Sequence, residues 1–221
     1  MTHYQPDLAS DPYEIENTFH LRAPVGRFGK LLAHHELYRR ITGLPGAVVE
    51  CGVYKGASLM RFLAFRRLLE SDESRQVIGF DAFGAFPVPP GEPAEGRRFI
   101  ERFEAAGGPG ISRADLDAAI AAKGLTNCRL VAGDIHETLP AYLGDHPALR
   151  VALLHLDLDV AAPTRFALDM LAPRLVPGGL VLFDDYGLVA GATEVADEFA
   201  AARGLRLEKL PLYAVPAFIV V

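Results

Sequence analysis

VALLHLDLD (residues 151–159), APTRFALDMLAPRL (162–175) and GGLVLFDD (178–185) follow one another near the C-terminal end of a 221-residue chain. The first and third runs are almost continuously apolar, as strands buried on both faces are. The middle run has helical spacing, and Pro163 suits the first turn of a helix. A helix between two buried strands implies parallel pairing, because a parallel crossover needs about a dozen residues. The same alternation extends outward. AVVEC (47–51), QVIGFD (76–81) and CRLVAGD (128–134) read as strands. RFGKLLAHHELYRRIT (27–42), SLMRFLAFRRLLE (58–70), RADLDAAIAAKG (113–124) and ATEVADEFAAARG (192–204) read as helices, ETLPAYLGD (137–145) as a short helix or turn, and LRLEKLP (205–211) and AFIVV (217–221) as two last strands. The fold class is α/β: a doubly wound, Rossmann-like sheet whose ligands meet the carboxyl ends of the strands.

Residues 1–25 are polar with scattered aromatics and read as an arm. Residues 26–221 read as one domain, within the size of a single α/β unit. One segment breaks the alternation: residues 82–112 are dense in Gly and Pro and too long for an ordinary connection. An insertion directly after a site-bearing strand suits a lid or specificity loop, with a surface excursion as the plainer alternative. AEGRRFIERFEAA (94–106) gives it a helical stretch.

Lys and Arg total 22 against 28 Asp and Glu, a formal charge of −6 without a basic stripe. Nucleic acid and anionic membrane surfaces are therefore not expected partners. The start, MTHYQPDLASDPYE, lacks the character of a signal peptide, and no apolar stretch has membrane-spanning length. Cys51 and Cys128 lie in apolar runs and read as buried thiols, so a reducing, cytoplasmic setting is expected.

The chemistry concentrates at strand ends. Glu50, Asp81, Asp134, Asp157 and Asp184 each close a strand pattern, which places them on one edge of the sheet. Asp157 with Asp159, and Asp184 with Asp185, bring several carboxylates together there. Such crowding is unfavourable unless a cation sits between them, and hard oxygen ligands suit Mg²⁺. VVECGVYKG (48–56) has Gly52 and Gly56, with Ser58 opening the next helix, but it is not the dinucleotide fingerprint, because Glu50 stands where the first glycine would be. A carboxylate there repels a pyrophosphate and attracts an ammonium. S-adenosylmethionine carries an ammonium and a sulfonium and no phosphate, and Asp81 is placed to accept hydrogen bonds from its ribose diol.

VVECGVYKGAS, GFDAFGAFP, VAGDIHETLP, LHLDLDVAAPT and LVPGGLVLFDDYG, in that order, resemble the macrocin O-methyltransferase family, which includes sugar O-methyltransferases of the mycinamicin, tylosin and novobiocin pathways. The resemblance covers roughly residues 45–190. It implies a seven-stranded class I methyltransferase fold whose last hairpin reverses direction, S-adenosylmethionine as donor, and Mg²⁺ dependence. On that resemblance, Glu50, Gly52, Tyr54 and Ser58 hold the methionine end of the donor. Asp81 binds ribose, with Ala82 and Phe83 beside the adenosine, and Asp134, Ile135 and His136 form the adenine-side loop. Asp157, Asp184 and Asp185 are the implied metal ligands, Asp157 also lying against the donor, and Asp159 is the implied general base. The family often reads D-G-D-L-Y after the fourth strand. Here Leu158 replaces the glycine and Val160-Ala161 replaces L-Y, a departure that falls on the acceptor wall.

The expected activity is Mg²⁺-assisted methylation of a hydroxyl on a sugar or sugar-bearing small molecule, by a homo-oligomer. Methylation of a catechol and a non-catalytic domain that binds S-adenosylmethionine are the competing readings. Other residues have plainer readings beside functional ones. His155 reads as a core histidine. His34-His35 lies on a helix that approaches the cleft. Asp159 is a possible helix cap, Asp184-Asp185 a possible turn, Tyr186 a possible acceptor contact, and Arg97 and Arg98 a solvated helix face or a diphosphate contact.

Overall fold

A computed structural model describes residues 3–88 and 94–221. Helix α1 (Pro12–Arg22) lies within the N-terminal arm, capped by the Asp11 side chain, and buries none of its residues. Helix α2 (Val25–Ile41) leads into strand β1 (Ala47–Cys51) and helix α3 (Ala57–Leu69). Strand β2 (Val77–Asp81), helix α4 (Ala94–Gly107), helix α5 (Arg113–Ala122) and strand β3 (Cys128–Ala132) follow. Helix α6 (Ile135–Asp145), strand β4 (Val151–Leu156), helix α7 (Ala161–Leu171), strand β5 (Leu175–Phe183), helix α8 (Ala190–Arg203), strand β6 (Glu208–Lys209) and strand β7 (Ala217–Val220) complete the chain.

The seven strands form one sheet in the order β3-β2-β1-β4-β5-β7-β6, parallel except that β7 runs against both neighbours. The reversal of sequence order between β1 and β4 makes the topological switch point at which α/β sheets bind ligands. Alternation along the central strands divides the core. Val48, Leu153 and Leu182 pack with Tyr38, Phe62 and Leu63 on the face covered by α2 and α3. Val49, Leu154 and Val181 pack with Leu139, Leu168 and Phe199 on the face covered by α6, α7 and α8.

The expected strands and helices are present, with two differences. The 137–145 segment is a full helix beginning at Ile135, with Pro140 inside it. LRLEKLP contributes only the two exposed residues Glu208 and Lys209 as strand. The apolar C-terminal strand β7 is paired on both sides, with β5 and β6. Cys51 is a buried free thiol, whereas Cys128 on the outer strand β3 is only partly covered. No described helix is long and apolar enough to cross a membrane.

The segment after β2 folds back onto the β1–α3 turn over its described part. Tyr54 and Lys55 both donate to the Gly107 carbonyl, at 2.7 and 2.6 Å. The Ile111 N–H donates to the Tyr54 carbonyl at 2.8 Å, and the Gly110 N–H to Gly84 at 2.9 Å. Residues 89–93, the centre of its Pro-rich stretch, lie outside the described residues.

Candidate active site

The β1–α3 turn is built around two close approaches. Gly52 has φ +91°, and a Cβ there would lie 1.8 Å from the Asp157 carbonyl oxygen. No side chain fits, so the exits of β1 and β4 run in direct backbone contact, joined by the Asp157 N–H to the Cys51 carbonyl at 2.9 Å. Asp81 then gathers the turn. Its Oδ2 accepts from the Val53 and Tyr54 N–H groups at 2.7 and 2.9 Å, and its Oδ1 accepts from the Phe83 N–H at 2.6 Å. Tyr54 and Phe83 are held at φ 53° and 54°, and Asp159 at 62°. Such left-handed residues cost about 1–2 kcal/mol each, and three at one sheet edge mark a place where the surrounding structure enforces strain.

These turns open onto a cavity of about 410 Å³. Gly52, Tyr54, Ser58, Asp81, Ala82, Asp134, Ile135 and His136 line it, together with Asp157, Asp159, Asp184 and Asp185. Glu50 and Phe83 do not line it: Phe83 is packed in the core and Glu50 lies buried beneath. Asp134 caps α6, accepting the His136 N–H at 2.9 Å, a hydrogen bond that holds its carboxyl below the usual range.

Oxygens of Asp157, Asp184 and Asp185 all lie within 4.8 Å of one another. Burial, followed by repulsion from Asp184 and Asp185, raises the Asp157 carboxyl well above the ordinary value. Burial and the neighbouring Asp159 and Asp184 raise Asp185 likewise. Burial also opposes ionisation of Asp184, but His155 and the Lys30 ammonium outweigh it and hold this carboxyl low. Lys30 Nζ donates directly to Asp184 Oδ2. The Asp159 N–H donates to Asp185 Oδ2 at 3.0 Å, and burial, with Asp157 next in weight, pushes the Asp159 carboxyl up to about 7.

The cap reading of Asp159 does not match the geometry, whereas Asp184 and Asp185 do lie in the turn that follows β5, where the Leu188 and Val189 N–H groups donate to the Asp185 carbonyl. The cap position of α7 is Val160, which makes no side-chain cap bond, so the Asp159 carboxylate does not cap that helix. Asp185 accepts from Asp159 across the sheet edge. Tyr186 hydrogen-bonds Asp197 at 2.8 Å and does not line the cavity, and neither do Arg97 and Arg98.

Below the cavity floor, Glu50, His155 and Asp184 form a buried row. His155 Nδ1 is 2.9 Å from Glu50 Oε1, and its Nε2 is 3.4 Å from Asp184 Oδ1. Burial works against charge on His155, but Asp184 and Glu50 prevail and raise it to about 10. It is therefore an imidazolium that counters two carboxylates, more than a packed core histidine. His34 lies 3.7 Å from Asp184, and burial lowers it to about 4, so it stays neutral. His35 instead meets Phe65 edge-on. His34, His155 and Asp184 are close enough to hold a metal, but a protonated His155 has no lone pair to give, which leaves the three-aspartate group as the better cation site.

Sequence reasoning did not single out Arg27, Lys30 or Arg61, all of which line the cavity. A signal was available. Arg27, Lys30 and His34 recur at helical spacing on α2, a polar stripe on the side that turns out to face the sheet edge.

Residues 30–216 match the family model for macrocin O-methyltransferase. The chain belongs to the macrocin O-methyltransferase family. It is 32% identical over 157 residues to 8-demethyl-8-(2,3-dimethoxy-alpha-L-rhamnosyl)-tetracenomycin-C 4'-O-methyltransferase of Streptomyces olivaceus, a match covering 70% of this chain and 58% of that protein. Mycinamicin III 3''-O-methyltransferase of Micromonospora griseorubida is 28% identical over 169 residues, covering 74% of this chain and 63% of the relative. These matches thus span about three fifths of the relatives' length. Among solved structures, the calicheamicin methyltransferase CalS11 superposes with a TM-score of 0.72 at 27% identity, covering 97% of this chain and 87% of its own.

Proposed function

We propose that this macrocin O-methyltransferase family member transfers a methyl group from S-adenosylmethionine to a hydroxyl of a sugar or a sugar-bearing small molecule, assisted by a divalent cation such as Mg²⁺. The observation that carries the reading is the convergence of three carboxylates, within 4.8 Å of one another, beside a strained strand-to-helix turn in one cavity. Both halves suit their proposed occupants. Buried carboxylates that raise one another's pKa are relieved by a cation. Glu50 Oε2 is a buried oxygen with no hydrogen-bond partner among the described residues, which suits a neighbouring ammonium. The relatives' names add that they methylate sugars on natural products.

Gly52, Tyr54 and Ser58 would hold the methionine end of the donor, Asp81 and Ala82 the ribose, and Asp134, Ile135 and His136 the adenine side. Glu50 would act from beneath, and Phe83 would brace the ribose-side turn through its backbone. Asp157, Asp184 and Asp185 would hold the cation. The donor supplies an electrophilic methyl carbon, and the cation stabilises negative charge on the acceptor oxygen. Asp159 stands beside the cation ligands with a carboxyl poised near neutrality, and takes the proton of the reacting hydroxyl. The described parts of the segment after β2, residues 82–88 and 94–112, wall the cavity through Phe86, Phe103 and Gly110 and would serve as a lid that limits water.

Calorimetry tests the reading. S-adenosylhomocysteine and Mn²⁺ should each bind, and replacing Asp185 with Asn should weaken Mn²⁺ binding at least tenfold with little effect on S-adenosylhomocysteine. A protein that binds neither, and that methylates no member of a glycoside and nucleotide-sugar panel, would refute it.

A further inference from the structure

Arg27 of α2 and Arg61 of α3 both line the cavity, and neither guanidinium makes a hydrogen bond or ion pair with a described residue. The other arginines of α3 are engaged through their terminal nitrogens. Arg66 is buried and donates to the carbonyls of Arg75, Thr126 and Asn127, and Arg67 pairs with Asp72. Lys30, on the same face of α2 as Arg27, is spent on Asp184. Arg61 is half-buried, and burial with the charge of Arg27 pushes its pKa down, while Asp184 and Glu50 act on it only from a distance. Arg27 is exposed and Arg61 half-buried, so the repulsion between them is only partly screened and an anion joining them would relieve it; guanidinium groups match the fork geometry of carboxylate and phosphate.

The helix between them adds donors. Helix α3 starts at Gly56, which has φ 83° and supplies no side-chain cap, and its first residues Ala57 and Ser58 face the cavity. The free N–H groups of that first turn favour negative charge. Arg61 follows Ser58 by three residues and so stands one turn above them.

We propose that Arg27 and Arg61, over the open first turn of α3, form an oxyanion subsite that takes a carboxylate or phosphate group of a bound ligand. The inference rests on the cavity being the methyltransfer site. Two ligands could supply the group: the donor, through the carboxylate of its amino-acid end, or an acceptor that carries phosphate, such as a glycosyl diphosphate. The acid cluster would repel an anionic acceptor, so a cationic wall facing the cavity is what such an acceptor would require.

Calorimetry with wild type, Arg27→Gln and Arg61→Gln separates the sources. The ligands are S-adenosylhomocysteine, its decarboxylated counterpart, and inorganic pyrophosphate with chelator present. If the group is the donor's, wild type should prefer S-adenosylhomocysteine to the decarboxylated compound by tenfold or more, and Arg61→Gln should erase that preference while Arg61→Lys retains part of it. If it is the acceptor's, pyrophosphate should bind the S-adenosylhomocysteine-saturated protein and lose at least tenfold in both Gln variants. The proposal is overturned if the donor preference is unchanged in both variants and pyrophosphate either does not bind or binds all three proteins equally. Failure of wild type to bind S-adenosylhomocysteine would count against the methyltransfer reading, while the pyrophosphate comparison would still decide the subsite.

Discussion

His155 Nδ1 stands 2.9 Å from Glu50 Oε1, and both side chains are withdrawn from water. The parallel register of β1 on β4 makes the two residues Cα partners, so the pair is a product of strand alignment. Breaking a buried pair by removing one partner costs about 3–5 kcal/mol, because the other charge is left uncompensated. His155→Leu is therefore expected to lose about that much stability in urea denaturation at pH 7, and the double change with Glu50→Leu should recover much of it. A single variant within about 1 kcal/mol of wild type would mean the pair is not ionised. The pH dependence has a definite sign. With His155 raised to about 10, its contribution is complete below pH 6.5 and is lost as pH rises toward 10.

Gly52→Ala tests the backbone contact of β1 with β4. The added Cβ meets the Asp157 carbonyl, which cannot swing away as a side-chain tip would, and the φ of +91° is itself unsuited to alanine. The strand exits must separate, moving the Asp157 carboxylate with them. The expected outcome is a loss of roughly 2–4 kcal/mol in stability and at least tenfold in S-adenosylhomocysteine affinity. Wild-type behaviour in both measurements would show that the exits are not in contact.

Asp159 gives a second pH signature, of opposite chemical origin. Its carboxyl is raised to about 7 by burial and by Asp157, so with chelator present the folded chain binds a proton there that the unfolded chain has released. Stability from this group is complete below about pH 4 and is lost as pH rises toward 7. Wild type should lose stability relative to Asp159→Asn across that window. The same variant should keep its affinity for S-adenosylhomocysteine while turnover falls by about 10² or more, the contribution of a general base. Parallel stability curves for the two proteins would contradict the raised carboxyl, and full turnover in the variant would contradict its role.

How far these features can be read from sequence depends on whether they are local. AVVEC becomes β1 residue for residue, because a short Val-rich run is bounded on both sides by glycine turns. The four aspartates at the ends of β4 and β5 share an edge because parallel strands must end together. What was not legible depends on register and on the facing of helices. Glu50 looked like a pocket residue because it closes a strand, but its place in the alternation points it under α2 and onto His155. Arg27 and Lys30 share a polar stripe with His34 that their spacing reveals, but nothing local shows that α2 lays that stripe over the sheet edge. Pro140 masked α6, although Asp134 supplies an N-cap strong enough to start it.

Lys30→Met offers a direct test of the cation site. The Lys30 ammonium donates to Asp184, one of the three clustered carboxylates, and the fields of Asp184 and Asp157 raise its pKa despite burial. A fixed positive charge so close to a cation site opposes a second cation. At separations of about 4 Å and the effective dielectric of a protein surface, that repulsion is up to about 4 kcal/mol for unit charges. Rearrangement of the flexible lysine stem will absorb part of it. Lys30→Met is therefore expected to bind Mn²⁺ more tightly than wild type, by about tenfold, as measured by titration calorimetry. Without a divalent ion it should be less stable, because the carboxylates lose their counter-charge. Unchanged Mn²⁺ affinity would mean that Lys30 and the ion do not share the cluster; weaker affinity would mean that Lys30 organises the aspartates rather than competing for them.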